Sequence, residues 1–151
     1  AFEGEAQIGA GTVLTIDDVD ALKAANGQFV VSPDCNPEVI KATKVASMSS
    51  YPGVFTATEC FAAIHAGADG LKLFPASVLG TGGLKALRAV LPAEIDAYAV
   101  GGAGPDNFDK WKDAGADGFG IGTAIYKPGD DAKTVRAKAD KIVAAYDEVF
   151  S

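Results

Sequence analysis

The chain has 151 residues, 48% of them hydrophobic, which suits one domain with a real core. Its net charge of -7 argues against nucleic acid and anionic membrane as partners. No charge-free apolar run approaches the length of a membrane span, and no charged-then-apolar leader opens the sequence.

Ala6 to Gly11 reads as a strand ending in glycines. Thr15-Ile16-Asp17-Asp18 is a capping box opening a helix to about Asn26, with Val19 and Leu22 on its apolar side. Gln28 to Ser32 is the next strand, stopped by Pro33, and Pro37 starts a helix carrying Val39, Ile40, Thr43 and Met48. Tyr51 to Phe55 is a short strand broken by Pro52-Gly53. Thr56-Ala57-Thr58-Glu59 is a second capping box, for a helix that runs to Gly67. The strand Asp69 to Pro75 follows, then a helix over Leu84 to Leu91 and a strand over Ile95 to Val100 that ends in Gly101-Gly102. Pro105 suits a first helical turn, and that helix runs to Gly115. Gly118 to Gly122 is the last strand. Asp131 to Phe150 is a long closing helix whose expected inner face is Val135, Ile142, Val143, Tyr146 and Val149.

Ala66-Gly67-Ala68-Asp69-Gly70 recurs as Ala114-Gly115-Ala116-Asp117-Gly118. Each copy ends a helix on glycine and enters a strand, so the same joint appears twice. Alternating strands and helices, with near-continuous apolar strands, imply a parallel sheet covered by helices. About six βα units can be counted in one domain over residues 1–151. A closed (β/α)8 barrel needs eight, so the choice lies between an open six-stranded sheet and a barrel short of its first two units. The start at Ala1 to Glu5 reads like the end of an earlier element.

Lys72 stands out, because apolar residues flank it in a strand that has the character of a buried one. Lysine is seldom buried without a partner, and a lone ammonium is costly to desolvate. Losing the proton turns the amine into a nucleophile. An unperturbed lysine is neutral in only about one molecule in 2,500 at pH 7, so a lowered pKa matters greatly. Lys72 is therefore a candidate Schiff-base lysine, the alternative being a side chain that snorkels to water. Ligands in parallel α/β folds meet the C-terminal ends of strands. That filter collects Thr12, Pro33, Thr56, Lys72, Phe74, Gly101, Gly102, Gly122 and Thr123. The last four follow the final two strands, where barrel loops often hold phosphate through backbone N–H groups; the alternative is that the glycines only make turns. Thr12 is either a substrate-holding hydroxyl or an ordinary β-branched strand residue. Thr56 and Glu59 read as a cap, and Asp69 and Asp117 as parts of the joint. His65 suits the end of its helix, while Trp111, Tyr126 and Tyr146 read as packing residues. Cys35 and Cys60 lack metal spacing and a disulfide framework, which fits a reducing cytoplasm, with Cys60 in the core and Cys35 in a loop. No metal-ligand cluster and no dinucleotide or phosphate-loop motif occurs in the sequence.

Ile8-Gly9-Ala10-Gly11-Thr12-Val13-Leu14, Ser32-Pro33, Pro52-Gly53, Thr56-Ala57-Thr58-Glu59, Leu71-Lys72-Leu73-Phe74-Pro75 and Val100-Gly101-Gly102 occur in one order. This set resembles the KDPG/KHG aldolase family, most like its 2-dehydro-3-deoxy-6-phosphogalactonate branch, over essentially the whole chain. The resemblance implies a (β/α)8 barrel, a cytoplasmic homotrimer, and a class I aldolase that needs no metal or cofactor. It implies Lys72 as the Schiff-base lysine and Thr12 as a substrate contact. Gly101, Gly102, Gly122 and Thr123 would hold the phosphate of a sugar acid, and Pro33 and Phe74 would line the pocket. Threonine at 123 replaces the family's serine, keeping the hydroxyl and adding a methyl. The products implied are pyruvate and D-glyceraldehyde 3-phosphate. The family's substrate-binding arginine and proton-moving glutamate belong to two units that would precede Ala1, so a weak full cycle is expected of residues 1–151 alone. Other readings are an aldolase for the gluconate epimer, a phosphate-binding barrel of the thiamine-phosphate synthase kind, or a fragment that binds phosphorylated sugars without turnover.

Overall fold

The computed structural model describes residue 4 and residues 6–151. Its elements are β1 (Gly9–Gly11), α1 (Ile16–Ala24), β2 (Phe29–Val31), α2 (Pro37–Val45), β3 (Ser49–Tyr51) and β4 (Gly53–Val54). They continue with α3 (Ala57–Ala66), β5 (Gly70–Leu73), α4 (Ala76–Arg88), β6 (Asp96–Val100), α5 (Phe108–Asp113), β7 (Gly118–Gly120) and α6 (Ala132–Phe150). One sheet has the order β1-β2-β3 and the other β4-β5-β6-β7, and every pairing is parallel. Pro52 separates β3 from β4 because it has no N–H to give a ladder. Its carbonyl still accepts from Lys72 N at 2.9 Å, and Ser50 O accepts from Asp69 N at 3.0 Å, so the two sheets run into each other. The strand expected over Tyr51–Phe55 thus begins at Ser49 and is cut by its own proline. Among the described residues β1 and β7 each have one strand partner, and the sheet does not close. The expectation at the N-terminus, Ala1 to Glu5, falls on positions that, apart from residue 4, lie outside the described residues.

The two-residue period of the strands sorts side chains to two faces. Val30, Val54, Leu71, Leu73, Ala97 and Ala99 point one way and are at most 2% exposed. Val30 packs with Val13, Val19, Val39 and Met48, while the other five meet Ile40, Cys60, Ala63, Leu84 and Trp111, and each buried leucine contributes about 1.5–3 kcal/mol. The other face carries Phe29, Val31, Tyr51, Lys72 and Tyr98 around a hollow. Phe29 and Tyr51 meet edge to face at 6.2 Å between centroids, and Tyr51 meets Tyr98 likewise at 5.7 Å. Room for Tyr98 comes from glycine on both neighbouring strands. A Cβ on Gly70 would lie 2.9 Å from its ring, and one on Gly118 would lie 3.0 Å from it.

The repeated joint has a clear construction. α3 and α5 both end in a Schellman motif: Ala68 N donates to Ala63 O and Ala116 N to Trp111 O, with Gly67 and Gly115 left-handed. Two residues further on, Asp69 accepts from Ser50 N of β3 and Asp117 from Ala97 N of β6. Lys44 from α2 and Arg88 from α4 pair with these carboxylates. The structural role expected for both aspartates is what they have. The same ending closes α1 and α2, where Gly27 N donates to Leu22 O and Met48 N to Thr43 O. There the left-handed residues are Asn26 and Ser47. Gln28 even reproduces the clamp, its Oε1 accepting from Ile8 N at 2.7 Å.

Both capping boxes form, Thr15 with Asp18 and Thr56 with Glu59. Several expectations need correction. The helix expected over Leu84–Leu91 starts at Ala76 and is kinked at Gly80, whose φ of 70° and ψ of 166° are not helical. Pro105 precedes its helix, which Asn107 opens. The last strand stops at Gly120. No residue of α6 is fully buried, because the helix contacts mainly α5 and the Phe119 ring. Val135, Ile142 and Val149 are half-buried, but Val143 is 56% exposed. Tyr146 is also exposed, yet it stacks on Phe150 at 4.6 Å. Tyr126 is exposed rather than packed, whereas Trp111 and Cys60 are core residues. Cys35 is half-buried and donates to Glu59 O at 3.3 Å.

Candidate active site

Lys72 occupies the third position of β5, between Leu71 and Leu73, which are both fully buried on the helix side. Alternation turns Lys72 to the other face, into a hollow of about 270 Å³ lined also by Tyr51, Tyr98, Val100 and Gly120. Its amine stands 4.3 Å from the centre of the Phe74 ring. Burial against these apolar surfaces pulls the Lys72 pKa below the ordinary value of 10.5, toward the nucleophilic free amine. Below it, Tyr98 donates its hydroxyl to Asp96 at 2.9 Å, and burial followed by that bond pushes its pKa to about 12. Tyr98 therefore stays a neutral phenol that fills the floor. Among the described residues no carboxylate lines this hollow.

A second cavity of about 370 Å³ lies beside the first, with Gly120 lining both. It gathers Gly101, Gly102, Gly122 and Thr123, the four residues selected from the last two strand ends. Gly101 and Gly102 have φ of 87° and 94°, a conformation that favours glycine. Gly101 packs on the Phe74 ring and its carbonyl accepts from Ser77 N at 2.8 Å, which ties this loop to the end of the lysine strand. A side chain on Gly102 would strike Ser77. The backbone N–H groups of Gly102, Gly122 and Thr123 have no hydrogen-bond partner among the described residues.

Thr12 and Pro33 sit at the C-terminal ends of β1 and β2, on the same rim, but line neither cavity. The carbonyl of Pro33 packs on Gly53. Thr12 is exposed with φ of 60°, a conformation unusual for a β-branched residue, so it is not an ordinary strand position. Thr56 serves as the cap of α3, and its hydroxyl and backbone N–H both donate to Glu59. Four lining aromatics, Phe29, Tyr51, Tyr98 and Phe119, escaped the sequence reading, although strand alternation puts Tyr98 on the face of Lys72. Lys127 and Asp106, which line the glycine cavity, were missed because they lie outside the strand ends. Among the described residues no group of three His, Cys, Asp or Glu is placed to hold a metal, and no helix is long and apolar enough to cross a membrane.

These features define a class: a parallel α/β protein that sets one half-buried lysine beside a glycine-walled cavity at the strand ends. The model of the KDPG and KHG aldolase family matches residues 3–138. A probable 2-dehydro-3-deoxy-6-phosphogalactonate aldolase of Rhizobium meliloti is 49% identical over 95% of this chain and 68% of its own length. The 2-dehydro-3-deoxy-6-phosphogalactonate aldolase of Escherichia coli is 44% identical over 98% of this chain and 72% of its own. Among solved structures, that described as native KDPGal superposes with a TM-score of 0.96 at 43% identity, covering 98% of this chain and 72% of that one. A KDPG aldolase of Legionella pneumophila, described with pyruvate captured as a covalent carbinolamine intermediate, gives 0.76 at 26% identity over 98% of this chain and 70% of its own. The chain belongs to the KDPG and KHG aldolase family.

Proposed function

We propose that this chain is the catalytic part of a class I aldolase that cleaves 2-dehydro-3-deoxy-6-phosphogalactonate to pyruvate and D-glyceraldehyde 3-phosphate. The observation that carries this reading is the half-buried Lys72 in a hollow that adjoins the glycine cavity through Gly120. The identity to aldolases named for this substrate supports the galactonate epimer over the gluconate one. The full fold in this reading is a (β/α)8 barrel, to which the chain contributes strands three to eight. Its assembly is a cytoplasmic homotrimer.

In this reading the Lys72 amine adds to the C2 ketone, and loss of water leaves an iminium. The electrons of the C3–C4 bond flow into it as the C4 hydroxyl gives up its proton. That releases the phosphorylated aldehyde and leaves an enamine. The enamine takes a proton at C3, and water then hydrolyses the iminium to free pyruvate and the amine. Phe74 covers the Lys72 amine, and Thr12 and Pro33 meet the substrate from the rim. Gly101, Gly102, Gly122 and Thr123 hold the phosphate through backbone donors, where close approach needs glycine. No described carboxylate lines the hollow, so the proton transfers need a group beyond these lining residues. Such groups are worth about 10²–10⁴ in rate, so the described residues by themselves account for the lysine adduct but not for fast turnover.

The test is borohydride reduction in the presence of pyruvate, followed by intact-mass and peptide mass spectrometry. A reduced pyruvyl adduct on Lys72, absent from Lys72→Met, is the expected result. No adduct, or one on another lysine, would overturn the assignment. Cleavage rates on the two C4 epimers then test the substrate.

A further inference from the structure

The glycine cavity has two charged residues in its lining, Asp106 and Lys127. The rest of its wall is neutral, built from backbone, small side chains, Ile121 and Asn107. Neutral backbone donors can orient a phosphate, but they leave its charge unmatched and Asp106 opposes it. We propose that Lys127 supplies the charge that holds the substrate's phosphate in this cavity. This rests on the aldolase reading above and adds to it a residue outside the strand ends.

The turn that carries Lys127 is built to hold it in place. Lys127 N donates to Asp130 Oδ2 at 2.8 Å, and Asp130 N donates back to Lys127 O at 3.0 Å. Between them Pro128 fixes one φ, and Gly129 takes a φ of 97° that favours glycine. Asp130 is in turn paired with Lys138 of α6. That pairing matters for charge as well as shape. The carboxylate nearest to Lys127 in sequence is already matched by another lysine. Among the described residues the Lys127 ammonium itself has no ion-pair or hydrogen-bond partner. The backbone is anchored, and the exposed ammonium, though it adds to the field at Asp130, is committed to no ion pair among the described residues.

Inorganic phosphate and glycerol 3-phosphate are the probes, titrated against the full chain by calorimetry at two ionic strengths. Lys127→Met removes the cation and should weaken both about tenfold, whereas Lys127→Arg keeps it and should stay within about twofold of the parent. Asp106→Asn should tighten binding by removing the opposing charge. Melting temperature and pyruvate trapping at Lys72 check that each variant keeps its fold. Unchanged affinity in Lys127→Met overturns the proposal, and so does a parent chain that binds neither probe. Phosphate binding that depends on Lys127 in a chain that traps no pyruvate would sustain the role of Lys127 as an anion ligand and overturn the aldolase reading instead.

Discussion

Lys72 joins two opposing influences within one side chain. Burial favours the neutral amine, while the Phe74 ring, 4.3 Å from the nitrogen, attracts the ammonium. Burial wins in direction, so the rate of pyruvate trapping should rise with pH and reach half its maximum below 10.5. Phe74→Leu keeps the apolar cover and removes the ring face. It should move that midpoint lower still, because the ring face favours the ammonium. A midpoint at the ordinary lysine value would mean that the hollow is wet. Linkage gives the matching stability effect. The folded-state pKa is depressed, so the unfolded chain binds the extra proton between the two values and stability rises with pH through that window. The cost of burying the ammonium is fully present below the folded pKa. Lys72 was legible in the sequence because charge inside an apolar strand breaks a local rule. Thr12 was less so: its residue type suggests a strand, and only its φ of 60° shows a strained position.

The helix endings show why some elements can be read and others cannot. Gly67 and Gly115 announce the left-handed turn by residue type, so two copies of the joint were visible. Asn26, an accepted left-handed residue, marked the end of α1 but not the joint, and Ser47 makes the same turn with a residue type that gives no signal. Ser47→Gly removes the steric cost of that conformation and should stabilise the chain by about 1 kcal/mol, or roughly 2–4 °C in melting temperature. Arg88 shows the opposite sensitivity. Its guanidinium reaches Gly115 O and Ile95 O, each at 2.7 Å, and the Asp117 carboxylate. Arg88→Met leaves these acceptors partly buried and unmatched, which should cost about 1–3 kcal/mol in a urea titration. Lys44→Met should cost less, because the Lys44–Asp69 pair is more open to water. The apolar pattern of α6 reads as an inner face, yet sequence periodicity cannot say whether a neighbour exists to cover it. Val143 and Tyr146 lie open for that reason.

At the scale of the molecule, the alternation of strand and helix was readable because strands such as β2, β5 and β6 carry apolar runs and glycine or proline closes most of the others. That pattern fixes a parallel sheet and puts the candidate residues on one rim. It does not say which of them converge. Lys72 lines one hollow, with the Phe74 ring against its amine, and the glycine loops line the next, because β5, β6 and β7 are consecutive neighbours in one sheet. Thr12 and Pro33 belong to the other sheet and lie further along the rim. Cavity walls such as Tyr51 depend on sheet curvature, which one-dimensional spacing does not carry.

The proline between β3 and β4 has a bearing on how the native state breathes. A residue with no amide hydrogen is the point where two ladders meet, so the backbone is least cooperative there. The two groups of strands should then behave as separate opening units. In native-state hydrogen exchange, amides of β2 and of β6 should report two different opening free energies. The amide of Lys72 bonds to the carbonyl of Pro52 and so belongs to the boundary between the units. Trapping pyruvate on its side chain should slow exchange on both sides and draw the two values together. A single opening energy before trapping would mean that the proline is no hinge in cooperativity at all.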